Sequence, residues 1–213
     1  MVDRQGKPHP GRRMASLQKK LDMKERILGT ADKLFYLQGI RAIGVDTIAA
    51  EIGISKRTLY NHFPSKDALI TAYLERRFVQ PRPSDKPPAE QILATFDSLE
   101  RRFSSKDFRG CPFVNAVAEL GAEDKSVRKI AVAFKESRRL WFRDLLTQLG
   151  VADAEGLATQ LAVLVDGCIA QDLVRNDPSM ARAAKAAAKV LLENAGVKVS
   201  DAADARASKK QRS

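Results

Sequence analysis

The chain has 213 residues, 44% of them hydrophobic, which is enough for a buried core and too many for a disordered chain. A formal net charge of +11 points to an anionic partner, either nucleic acid or an acidic membrane surface. With two cysteines and two histidines in all, the sequence offers neither a disulfide framework nor a structural zinc set, and no metal or other cofactor is expected.

Residues 1–20 carry Arg4, Lys7, Arg12, Arg13, Lys19 and Lys20 against Asp3 alone, and read as a basic, disordered arm. No apolar signal core follows, and no apolar run approaches the roughly 18 residues of a spanning helix. A cytoplasmic location without a membrane partner is therefore expected. From residue 21 the pattern is helical. Ile27, Leu28, Ala31, Leu34 and Phe35 form a stripe that Gly39 is placed to end. A short helix follows over Val45–Ile52, with Ile48, Ala49 and Ile52 inward. The turn Gly53-Ile54-Ser55 leads to a third helix over Lys56–Phe63, and Ser65 caps a fourth that reaches Phe78.

The proline-rich stretch PRPSDKPP, 81–88, reads as a stiff joint between a first domain, 21–80, and a second, 81–195. Beyond it Ile92, Phe96, Leu99 and Phe103 recur at helical spacing. A short helix opens at Pro112, a long one runs over Ser126–Leu149, and two more cover 154–175 and 178–194. The polar, Ala-rich segment 196–213 reads as a disordered tail. With no strand pattern anywhere, the expected fold is all-α.

Helix, three-residue turn with Gly, helix is the helix-turn-helix pattern, whose second helix enters the DNA major groove. The third helix spends its few positions accordingly. Lys56 and Arg57 sit at its N-terminus, where side chains and helix dipole both favour phosphates or guanine acceptors. Thr58 can bond a phosphate or touch a thymine methyl. Tyr60 and His62 can donate to a phosphate while packing on sugar. Leu59 and Phe63, four apart, anchor the helix inward, and Ser65 with Lys66 and the amides of the fourth helix form a second phosphate cradle.

The segment TIAAEIGISKRTLYNHFPSKDALI, with ILGTADKLFYLQGIRAIGV before it, resembles the N-terminal domain of the TetR family of bacterial transcriptional regulators over about residues 24–75. The Ile-Ala pair, the Gly turn, Thr-Leu-Tyr, His-Phe and Ser-Lys-Asp fall in the family's order. The resemblance implies DNA contacts, mostly to backbone, at Arg57, Thr58, Tyr60, His62 and Lys66. One departure is visible: Gly44 stands where many members place a Ser or Thr that caps the second helix and touches phosphate.

The resemblance also implies a helical second domain with a ligand cavity, and a homodimer through the last two long helices. Small residues in MARAAKAAAKVLLENAG, with Val190, Leu191 and Leu192, suit a close helix partner. For a pocket wall the chosen residues are Phe96, Leu99, Phe103, Phe113, Phe134 and Trp141, with Asn115 and Arg138 as orienting polar groups. Glu119 shares a helix face with Asn115, and Asp166 interrupts an apolar run where a charge needs a partner. Cys111, the residue before Pro112 and two from Arg109, is a candidate redox or electrophile sensor, with a buried structural thiol as the alternative. Cys168 reads as core.

The expected molecule is a ligand-responsive, sequence-specific DNA-binding regulator and not an enzyme. It would repress, bind a palindromic double-stranded operator as a homodimer, and be released by an unknown small-molecule effector. The competing readings are a thiol-sensing repressor acting through Cys111 and an architectural DNA-coating protein with little sequence preference. A helical enzyme is disfavoured because His9 and His62 have no catalytic company.

Overall fold

The computed structural model describes residues 10–80, 84–121 and 124–199, with backbone alone for 10–20. Among these residues lie nine α-helices and no strand: α1 (Pro10–Gln38), α2 (Val45–Ile52), α3 (Lys56–Tyr60), α4 (Lys66–Arg77), α5 (Pro88–Phe103), α6 (Pro112–Leu120), α7 (Lys125–Gln148), α8 (Ala154–Arg175) and α9 (Ser179–Asn194). Helical backbone thus begins at Pro10, inside the segment read as a disordered arm. No Gly or Pro interrupts residues 12–28, so nothing in the chain stops α1 from extending upstream. Residues 1–9 of the arm and 200–213 of the tail lie outside the described residues.

The contacts divide the chain into two compact units. One holds the chain up to Phe78 together with Pro112–Ala131, and the other holds Val79–Cys111 with the chain from Val132 onward. The boundary differs from the expected one in that α6 joins the first unit. Two contacts explain this. Phe113 meets Phe78 edge-on, with centroids 6.2 Å apart. The Glu119 carboxylate accepts the backbone N–H of Arg41 at 2.9 Å, which satisfies a donor in the turn between α1 and α2.

In the first unit the side chains of Ile27, Ala31, Ile48, Leu59, Leu69 and Leu74 are completely enclosed. α1 ends at Gly39, whose φ of 94° only glycine adopts without strain. Arg77 of α4 holds Asp32 of α1 through two parallel hydrogen bonds of 2.6 and 2.9 Å, and its guanidinium stacks 4.3 Å from the Tyr36 ring. That clamp fixes α4 against α1.

In the second unit α5 buries Ile92, Phe96, Leu99 and Phe103, α8 buries Leu157, Leu161, Val165 and Cys168, and α9 buries Ala181, Ala184, Ala188 and Leu192. The small residues of α9 let it approach closely, and the pairs Arg182–Glu100 and Lys185–Asp97 tie it to α5. Asp166 finds its expected partner in Lys135 of α7, at 2.5 Å. The expectation that no apolar run approaches a spanning length is corrected at α8, which is long and apolar enough to cross a membrane by length and composition, because only Asp166 and Asp172 interrupt residues 157–174. Its apolar character has a local cause. One side packs on α5 and α9, and the opposite side, though exposed, is uncharged at Val163, Gly167, Ala170 and Val174.

Candidate nucleic-acid interface

The local chemistry of α2, α3 and α4 sets the site. Gly44 precedes α2 in extended backbone, φ −83° and ψ 161°, with no side-chain cap bond. The departure from the family pattern is therefore a real loss of one side-chain oxygen. Gly53 closes α2 at φ 75°, turning the chain sharply into α3. Ser55 Oγ caps α3 by accepting the Thr58 N–H at 3.1 Å, and Ser65 Oγ caps α4 by accepting the Ala68 N–H at 3.0 Å. α3 is shorter than the Lys56–Phe63 span expected. Its last turn is closed by the His62 and Phe63 amides, both bonding the Leu59 carbonyl at 3.0 Å. Pro64 accounts for this, since the residue before a proline is pushed out of the helical region.

Leu59 is fully enclosed and Phe63 is buried, with the Lys24 ammonium 5.5 Å from the Phe63 ring centroid. These anchors turn the opposite face outward. Lys56, Arg57 and Tyr60 are exposed, whereas Thr58, His62 and Lys66 are half-buried. The exposed groups are not equivalent. Arg57 makes no ion pair or side-chain hydrogen bond with a described residue. Lys56 donates to Asp46 Oδ2 of α2 at 3.0 Å, and that hydrogen bond raises the lysine pKa. The Thr58 hydroxyl shares a 2.9 Å hydrogen bond with Ser55 Oγ. His62 Nδ1 is buried with no partner, so the ring can bond outward only through Nε2. Asp46 was not singled out in the sequence. Its only signal there is an acid in the first turn of α2, ten residues before Lys56.

The residues chosen for a pocket fall into three groups. Phe96, Leu99 and Phe103 share the buried face of α5. Phe134, Arg138 and Trp141 follow on α7, with the Arg138 guanidinium 5.2 Å from the Phe134 ring centroid. Phe113 and Asn115 belong to the first unit, on α6. A shallow hollow of about 370 Å³ is lined by Ser84, Lys86, Gln91, Thr95, Ser98 and Arg101, none of them in the chosen set. Cys111 is buried beside Gly110, whose φ is 78°. The Arg109 guanidinium donates to the Lys106 and Phe108 carbonyls of its own loop. Cys168 is buried too, and burial pushes its thiol up to about 11. Among the described residues no group of three or more His, Cys, Asp or Glu side chains could hold a metal.

Comparison with known proteins bears on both halves of the chain. Residues 27–73 match the model for bacterial regulatory proteins of the tetR family. Residues 88–187 match the model for the C-terminal domain of LmrA/YxaF-like transcriptional regulators. A TetR-family transcriptional regulator from Streptomyces coelicolor superposes with a TM-score of 0.72 at 31% identity, covering 80% of this chain and 94% of that one. The transcriptional regulator LmrA of Bacillus subtilis is 29% identical over 162 residues, 70% of this chain and 85% of its own. A putative TetR regulator from Streptomyces avermitilis superposes with a TM-score of 0.73 at 29% identity, covering 82% and 98% of the two chains.

Proposed function

The chain belongs to the TetR family of DNA-binding transcriptional regulators, and from that premise we propose that it is a repressor: a homodimer that reads a palindromic operator and leaves it when a small molecule binds. The observation that carries this is the division of α3 and the turn that follows it into a buried and an exposed side. Leu59 and Phe63 are buried, while Lys56, Arg57 and Tyr60 stand exposed. A helix too short to persist alone is thus held by its neighbours with its cations outward, as groove entry requires. Lys66 and the capped N-terminus of α4 add a phosphate contact.

Dimerisation is supported by the free sides of α8 and α9. Gln160, Val163, Gly167, Ala170 and Val174 are exposed on α8 at alternating three- and four-residue spacing, without a charge among them. Ala183, Ala186 and Val190 continue the pattern on α9. A two-fold dimer through these seams would present two copies of α3 to a symmetric site. Release requires only that the effector prefer the DNA-incompetent arrangement, and the coupling equals that difference in affinity. The thiol-sensing reading has no comparable support, since Cys111 is buried and the Arg109 guanidinium is turned to loop carbonyls.

The test is selection from a random duplex DNA pool, with wild type beside an Arg57→Ala, Tyr60→Ala double variant. Enrichment of an inverted repeat by the wild type alone is the expected result. Equal, salt-sensitive retention of all sequences by both proteins would replace this reading with an architectural one.

A further inference from the structure

α7 carries four basic residues on its second-unit stretch, and three of them have partners. Lys135 holds Asp166, Arg139 holds Glu136 and Glu155, and Arg143 holds Asp144 and Glu155. The Arg138 side chain, half-buried as those of Arg139 and Arg143 are, has neither a hydrogen bond nor an ion pair with a described residue. Its guanidinium lies against the Phe134 ring. Burial pulls its pKa down, and Asp166 only partly offsets this. The Asp166 carboxylate is already engaged by Lys135, and Arg102 adds charge of the same sign. Cys168, also within the field of Arg138, stays a neutral thiol.

A guanidinium taken partly out of water, with no ion pair among the described residues, is held at a cost. Its planar fork matches a carboxylate through two parallel hydrogen bonds, and the aromatic face behind it holds the fork in plane. We propose that Arg138 anchors an anion-binding subsite in the second unit, which takes the carboxylate of an organic-acid effector with its apolar body against the Phe134 side. The inference rests on the effector reading of that unit given above.

The experiment uses the full chain, with acetate, benzoate and cinnamate at millimolar concentration and constant ionic strength, and with acetamide, benzamide and cinnamamide as neutral matches. Melting temperature is read for wild type, Arg138→Met and Arg138→Gln. At least one acid is expected to raise the wild-type melting temperature while its amide does not. Either substitution is expected to weaken that acid roughly 10- to 100-fold, the value of a charge-assisted hydrogen-bonded pair. Without acid, Arg138→Met is expected to melt at or above wild type, because it removes a cation that has no ion pair among the described residues. A shift by no acid, or an equal shift in wild type and both variants, overturns the subsite. Anisotropy on the selected operator separates this inference from the effector reading. Acid binding that needs Arg138 but does not release DNA keeps the subsite and removes the effector role. Release by neutral compounds that is indifferent to Arg138 does the reverse.

Discussion

At the scale of single residues, α3 shows which side chains a sequence motif places and which it leaves open. The exposure of Lys56, Arg57 and Tyr60 was legible because Leu59 and Phe63 fix the inner face by their four-residue spacing. The state of each cation was not. Whether Lys56 is available depends on the angle at which α2 and α3 cross, and that angle brings Asp46 to 3.0 Å. The pair is exposed on both sides, so it adds little to stability. Under the proposed reading its consequence lies in binding, because Asp46 would compete with phosphate for the same ammonium and set a negative charge near the DNA. Asp46→Asn is therefore expected to tighten operator binding and to steepen the dependence of log affinity on log salt by about one unit. Affinities measured from low to moderate salt decide it. An unchanged slope would mean that Lys56 reaches phosphate with Asp46 in place, or never does.

Among elements, α6 and α8 carry the main differences between sequence and structure. The proline-rich joint lies between α4 and α5, but contiguity along the chain hid the return of α6 to the first unit. The Glu119 bond to the Arg41 amide and the Phe113 contact with Phe78 reveal it, and both join residues far apart in sequence. On α8, Asp166 is legible as a charge in need of a partner, whereas Asp172, three residues before the helix ends, reads as an ordinary terminal acid. Asp172 is 2% exposed and its Oδ1 has no partner. Burial raises its pKa, with Asp177 adding to the effect. The folded state therefore favours the protonated acid. Its stability contribution is fully present below the unfolded aspartate pKa and is lost as pH rises through the folded one. Asp172→Asn keeps the shape and removes the penalty, so at neutral pH it is expected to stabilise by about 1 kcal/mol. Denaturant titrations of both proteins should show that advantage shrinking as the pH falls through the acid range. A constant difference would show that folding does not raise the Asp172 pKa, and a destabilised variant would show that the carboxylate has a use in the folded protein.

For the whole molecule, the question is what the uncharged sides of α8 and α9 face. Gly167 offers a way to ask it without damaging the protomer. A β-carbon built there meets nothing within 4 Å, so the chain's own packing does not require glycine at this position. Glycine inside a helix costs about 1 kcal/mol relative to better helix formers. A replacement should therefore leave the protomer fold intact or strengthen it. In a homodimer joined along Val163, Gly167, Ala170 and Val174, the same replacement puts bulk and charge where a second helix must approach. Gly167→Glu is expected to sediment as a folded monomer with unchanged helical content. It should also lose most of its operator affinity, since a single α3 reads only half of a symmetric site. The two losses must occur together. If Gly167→Glu stays dimeric, the seam lies elsewhere. If it becomes monomeric and still binds the operator at full strength, the two-fold reading of the DNA site is wrong, and the basic surface of one protomer is enough.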